Sequence, residues 1–121
     1  MGNLHRSQWL AELKRSFPEL TRPLNAEHGL LAFEMEVFSR FIQRKIANGD
    51  RQTVIVSYSI ALKYFTGGNK RMRDAIDTCL VENLPFGRPD ERLSNWAWAE
   101  LPVPLKDLYR RFHDAPIIEG R

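Results

Sequence analysis

The chain has 121 residues, 43% of them apolar and 27% charged, with 18 basic against 15 acidic side chains and a net charge of +3. This is the length and balance of one globular domain with a real core, not of a disordered chain. No apolar run approaches the roughly 18 residues of a membrane span, and the single Cys79 excludes an internal disulfide or a cysteine-based zinc site.

The N-terminal stretch carries His5, Arg6, Glu12, Lys14, Arg15 and Glu19 without an unbroken apolar segment, which argues against a secretory signal. A cytoplasmic setting is therefore the default expectation. The mild positive excess permits an RNA or DNA partner but does not favour one, because the two signs are interleaved. At the other end, residues 118–121 spell IEGR. They read as an engineered protease-cleavage remnant and are set aside, leaving residues 1–117 as the domain.

Ser7 is the first candidate N-cap, offering an acceptor oxygen to the free amides of an opening turn. Trp9, Leu10, Leu13 and Phe17 then repeat at helical spacing, and Pro18 ends or redirects the helix. A polar connector with Thr21, Arg22 and Pro23 leads to Asn25, placed as the cap of the next helix.

Residues 30–46 organise the rest, with no Gly or Pro among them. At about 100° per residue, Leu30, Val37, Phe38 and Phe41 share one side of a helix. Leu31, Met35, Ile42 and Ile46 widen that side, while Glu36, Arg40, Gln43 and Arg44 lie opposite. A face this broad predicts more than one neighbour, and Gly49 closes the helix. Glu34 is the anomaly, a carboxylate near the middle of the apolar face. An ionised carboxylate in a dry core costs several kcal/mol unless paired. The reading taken is a buried structural carboxylate held by an Arg, Lys, Tyr or Trp of another helix. A catalytic or partner-binding role, or a bundle edge open to water, are the alternatives.

In residues 51–66, Val54, Val56, Tyr58, Ile60, Leu62 and Tyr64 alternate as in a strand. Val54, Tyr58, Ala61 and Phe65 also form an i, i+4, i+7, i+11 series. The run is long for one strand and has no strand partner elsewhere, so a helix is expected. Ile60 and Tyr64 would lie on its other side, against a further helix or a partner protein.

Gly67 and Gly68 make the next break, and Asn69 can cap the helix after it. Met72, Ala75, Ile76, Cys79 and Leu80 run i, i+3, i+4, i+7, i+8, and Leu84 carries the series one turn further. Within that stripe Cys79 reads as a small buried hydrophobe. Lys70, Arg71 and Arg73 read as a solvated face, with a phosphate-binding cluster as the alternative. After a loop with Pro85, Gly87 and Pro89, in which Pro89 and Asp90 also look like a helix entry, comes LSNWAWAEL. Trp96 and Trp98 point about 200° apart on a helix, which predicts one core Trp and one partly exposed. Pro104 suits the first turn of a final helix with Leu105, Leu108, Tyr109 and Phe112 inward, ending near Asp114 and Pro116. The fold class expected is all-α: a single-domain antiparallel bundle of five to six helices with stacked αα-hairpins.

Chemical motifs are few. His5, His28 and His113 are scattered, and no HExxH, P-loop, GxGxxG or GxSxG pattern occurs. Asp74 and Asp77, with Glu82 further on, could hold a divalent ion or do acid–base work. They read instead as solvated or paired with Lys70 and Arg73. No enzyme activity, metal or cofactor is expected.

Residues 47–86, ANGDRQTVIVSYSIALKYFTGGNKRMRDAIDTCLVENLPF, have a helix punctuation of their own. Gly49 and Asp50 break after a long helix, Gly67 and Gly68 after the next, and the third ends in Val81, Glu82, Asn83 and Leu84. With the later LPVPLKDLYRRF, this pattern resembles small all-helical bacterial immunity proteins encoded beside polymorphic toxins of contact-dependent growth inhibition and Rhs type. Tyr58, Ser59 and Ile60 depart from the family in lacking a carboxylate that such middle helices often carry. The resemblance implies neutralisation of a cognate toxin C-terminal domain by tight binding. The candidate contacts are Trp96 or Trp98, Tyr64, Asp74, Asp77 and Glu82, and the mildly basic chain favours a toxin with an acidic or mixed surface. No membrane partner is expected. The competing expectations are an adaptor domain, or a nucleic-acid-binding module using Lys70, Arg71, Arg73, Arg110 and Arg111.

Overall fold

The computed structural model describes residues 2–114, so Pro116 and the tetrapeptide 118–121 lie outside the described residues. The protein is all-α. In order come α1 (Arg6–Ser16), a 3-10 turn (Pro18–Leu20), α2 (Thr21–Asn25), α3 (Leu31–Ala47), α4 (Arg51–Thr66) and α5 (Lys70–Ala75). A π turn (Ile76–Leu80) and a 3-10 turn (Val81–Asn83) continue α5, followed by α6 (Pro89–Arg92), α7 (Trp96–Glu100) and α8 (Val103–His113). Among the described residues no helix is long and apolar enough to cross a membrane.

The long third helix forms, but it begins at Leu31, so Leu30, expected on the apolar face, precedes it in extended backbone and is 53% exposed. The wide face meets several neighbours: α2, α4, α5 and the π turn. Residues 51–66 are helical throughout. Their mixed period has a physical cause. Val54, Ser57, Tyr58, Ile60, Ala61 and Tyr64 are buried on one arc of about 160°, while the half-buried Ile55, Val56 and Leu62 lie outside it, so apolar positions occur around most of the circumference and blur the 3.6-residue repeat. Asp50 caps this helix, accepting from the Thr53 amide at 3.2 Å and the Thr53 hydroxyl at 2.8 Å. Tyr58 donates to the Ala97 carbonyl at 2.8 Å and so pins α7 against α4.

Two of the expected caps are elsewhere. α1 starts at Arg6, and Gln8 Oε1 accepts from the His5 amide at 3.0 Å, so Ser7 is inside the first turn rather than before it. Asn25 ends α2 instead of opening a helix, and its side chain accepts from Lys14 Nζ at 2.7 Å. Asn69 does cap α5, accepting from the Met72 amide at 2.9 Å. Asn69→Ala is expected to cost about 1 kcal/mol, the usual value of a lost N-cap, read as a lower urea midpoint at constant slope.

Cys79 is half-buried, not inside the stripe. The π turn widens the helix from Ile76 onward, so the apolar series slips by a position. Leu80 and Val81 are fully buried while Cys79 rotates toward the surface. The wider turn leaves the Leu80 carbonyl open to a side chain, and the buried Ser39 hydroxyl donates to it at 3.1 Å.

The N-terminal arm is tied down beside the second glycine break. Leu4 donates to Gly67 O at 2.9 Å and accepts from Asn69 N at 2.8 Å, forming an isolated parallel bridge with Gly68. A Cβ at Gly68 would stand 2.0 Å from the Tyr64 carbonyl oxygen, which explains a glycine where α4 and α5 meet.

Candidate functional site

The end of α8 is built on a buried arginine. Arg92, 3% exposed, lies in the short helix α6. Its guanidinium carbon is 5.0 Å from the Trp98 ring centroid and 5.1 Å from that of Tyr109. Phe86, Trp98 and Tyr109 pack edge to face around it, with centroids 5.2 to 5.6 Å apart. A cation between two ring faces is favourable, and more so when desolvated. The guanidinium edge is satisfied as well. Nε donates to Gly87 O at 3.1 Å, while Nη1 and Nη2 donate to the two carboxylate oxygens of Asp114 at 3.0 and 2.5 Å. These hydrogen bonds raise the Arg92 pKa and hold the Asp114 carboxyl below its ordinary value.

The same clamp orders the residues beside it. His113 stacks on Tyr109 with centroids 4.0 Å apart, and its Nε2 is 2.9 Å from the Glu82 carbonyl. A carbonyl only accepts, so this nitrogen carries the hydrogen. Phe112 meets the His113 ring edge to face at 4.8 Å. It is 56% exposed, whereas its spacing predicts the inner side of the helix. Leu105, Leu108 and Tyr109 already fill the buried stripe, leaving Phe112 at its margin in the last turn.

Asp77, Glu82, Leu108, Arg111 and Phe112 line a cleft of about 190 Å³ between the irregular helix and α8. Two predicted contacts, Asp77 and Glu82, thus come together around an exposed aromatic side chain. Asp74 is on another side of the helix, exposed and bonded to Lys70 Nζ at 2.6 Å. Trp96 is half-buried and packs against the core.

Two predicted contacts are not at the surface. Trp98 is 7% exposed, because it forms one wall around Arg92. Tyr64 is 2% exposed: α1 covers that side of α4, and the phenol donates to Glu12 Oε1 at 2.9 Å. Burial first, and then this bond, push the Tyr64 pKa up to about 12. Burial alone would raise the pKa of Glu12, but the hydrogen bonds from Lys63 and Tyr64 outweigh it and hold the carboxyl low.

Glu34 is 1% exposed and belongs to a different site. Arg6 grips it with both prongs, Nε to Oε1 at 2.7 Å and Nη2 to Oε2 at 2.6 Å, joining α1 to the start of α3. This hydrogen bonding raises the Arg6 pKa.

Sequence reasoning missed Arg92, Phe86 and Arg6. Arg92 stands in a proline-flanked polar run, and its carboxylate is 22 residues away. The density of aromatic residues at 86, 96, 98 and 109 was the one available signal.

A protein-family model described as a domain of unknown function (DUF7674) matches residues 10–114. No curated protein and no solved structure matches.

Proposed function

We propose that this chain, which belongs to the DUF7674 family, neutralises a cognate toxin domain by direct binding, as a bacterial immunity protein does. The observation that carries the reading is the exposed Phe112, fixed on His113 at the rim of the cleft that Asp77, Glu82 and Arg111 line. A large aromatic side chain ordered before binding loses little freedom in the complex, and such anchors dominate interfaces. Carboxylates and an arginine beside it would set register and steer encounter. The scaffold beneath is read as an antiparallel bundle, with α3, α4 and the helix from residue 70 stacked as αα-hairpins.

Two features weigh against the nucleic-acid reading. Lys70 is engaged by Asp74, and Arg110 by Asp107 at 3.4 Å and by the Trp98 ring at 5.3 Å.

The direct test is co-expression with the C-terminal domain of a large secreted protein encoded immediately upstream. Protection of the cells is expected, and death of the co-expressing cells would refute the proposal. Phe112→Ala is expected to weaken that complex at least tenfold, about 1.4 kcal/mol or more. Its urea midpoint should move little, as for most exposed positions. Undiminished affinity in this variant would place the interface elsewhere.

A further inference from the structure

Where α1, α3 and α5 begin, two clefts meet. One, about 170 Å³, is lined by His5, Arg6, Ser7, Leu31, Asn69 and Arg71. The other, about 280 Å³, continues from the shared Leu31 and Arg71 past Ala32, Asp74 and Ala75 to Thr78 and Cys79. The two differ in chemistry. The first gathers two guanidinium groups and an imidazole, while the second has aliphatic walls of Leu31, Ala32 and Ala75.

Arg6 is not free to swing away. Glu34 holds Nε and one hydrogen of Nη2, which leaves Nη1 and the second Nη2 hydrogen for another acceptor. Glu34 cancels the Arg6 charge, so the net attraction comes from exposed Arg71, and Arg6 adds directed hydrogen bonds. Asp74 lies one turn beyond Arg71 on α5, where its carboxylate is taken up by Lys70 Nζ at 2.6 Å. Arg71 has no ion-pair partner among the described residues, which places an anion between Arg6 and Arg71, with apolar contact along Leu31 and Ala75.

We propose that this groove binds a carboxylate attached to an aliphatic side chain, as in an N-acyl amino acid. The planar oxygens would take Nη1 of Arg6 and the guanidinium of Arg71, and the side chain would cover Leu31, Ala32 and Ala75. Arginine forks match carboxylate geometry, and the apolar trough selects against a bare inorganic anion.

The test titrates the whole chain with N-acetyl-L-leucinate, N-acetyl-L-leucinamide or inorganic phosphate, following backbone amide shifts by NMR. Saturable shifts at Leu31, Ala32, Asn69, Arg71 and Ala75 are expected with the leucinate only. Arg71→Gln, at an exposed position that leaves the Arg6–Glu34 pair intact, should weaken it about tenfold, the loss of one charge-assisted bond. Each of four results overturns the proposal: no saturable shift, equal binding of the neutral leucinamide, equal binding of phosphate, or leucinate affinity unchanged in Arg71→Gln. The probes are small molecules, so these outcomes are independent of whether a toxin is bound at Phe112.

Discussion

Arg6→Ala is expected to destabilise the fold by about 3 kcal/mol, the lower end of what removing one partner of a buried ion pair costs. The reason is the asymmetry of the pair. Arg6 is half-buried and could be resolvated, but the Glu34 side chain is only 2% exposed and both its oxygens are taken by Arg6. The variant therefore leaves a carboxylate in a dry site. Urea unfolding at neutral pH checks this directly. The double variant Arg6→Met with Glu34→Leu should recover most of the loss, because it removes both charges and keeps the contact between α1 and α3 apolar. A midpoint for Arg6→Ala close to that of the unaltered chain would show that water reaches Glu34 after all, and the double variant would then be the less stable of the two. A loss of this size matters against a total stability on the order of 5–15 kcal/mol for a domain.

The contrast between Glu34 and Arg92 shows what can be read from a chain without coordinates. Glu34 lies inside a strongly periodic helix, so its misfit with the apolar face is visible, and the need for a partner follows from the cost of a buried charge. The identity of that partner does not follow, because Arg6 is 28 residues away and nothing local marks it. Arg92 is invisible in the same terms. Its segment has no periodic face to violate, and a charged residue among Pro, Asp and Glu looks solvated. Only the tertiary approach of α7 and α8 makes it a buried hub.

Punctuation is more legible than register. The breaks at Gly49, at Gly67 and Gly68, and the starts near Pro89 and Pro104 are set by local backbone preference, which sequence carries directly. The π turn is a different kind of event. Its residues, Ile76–Leu80, include no Gly or Pro, and Ile76, Cys79 and Leu80 keep the spacing of the apolar series before them. The slip that leaves Cys79 half-buried and buries Val81 depends on packing against α3, where Ser39 meets the Leu80 carbonyl. The same dependence on packing decides the contact residues. Tyr64 and Trp98 are large aromatics on the far sides of their helices, and those sides face α1 and Arg92. Asp77 and Glu82 lie on a side that stays partly open.

Asp114→Asn should produce the second large effect, a loss of about 2 kcal/mol, because two charge-assisted bonds to a buried guanidinium are weakened at once. The figure is kept below that for Arg6→Ala because Asp114 is near the surface and water can partly replace it. The pH dependence has a definite sign. The Asp114 carboxyl has a folded-state pKa held down chiefly by the Arg92 hydrogen bonds. Its contribution is complete above the unfolded-state value, near pH 4, and is lost as the pH falls through the lower folded value. Thermal midpoints of the unaltered chain and of Asp114→Asn should therefore differ at neutral pH and converge in acid. A constant difference down to about pH 2 would mean that the stabilisation is not ionic. The consequence for binding is separable from stability. Asp114 fixes the last turn of α8, and that turn holds His113 against Tyr109 and Phe112 beside it. Loosening the clamp should free the Phe112 ring even at temperatures where the core is intact, so affinity for a toxin partner should drop in proportion to the order lost. Restoring a carboxylate one methylene longer, with Asp114→Glu, should recover the ion pair more fully than the placement of Phe112. Recovery of stability without recovery of affinity would identify Asp114 as a positioning residue for the surface, whereas parallel recovery of both would reduce it to a staple of the fold.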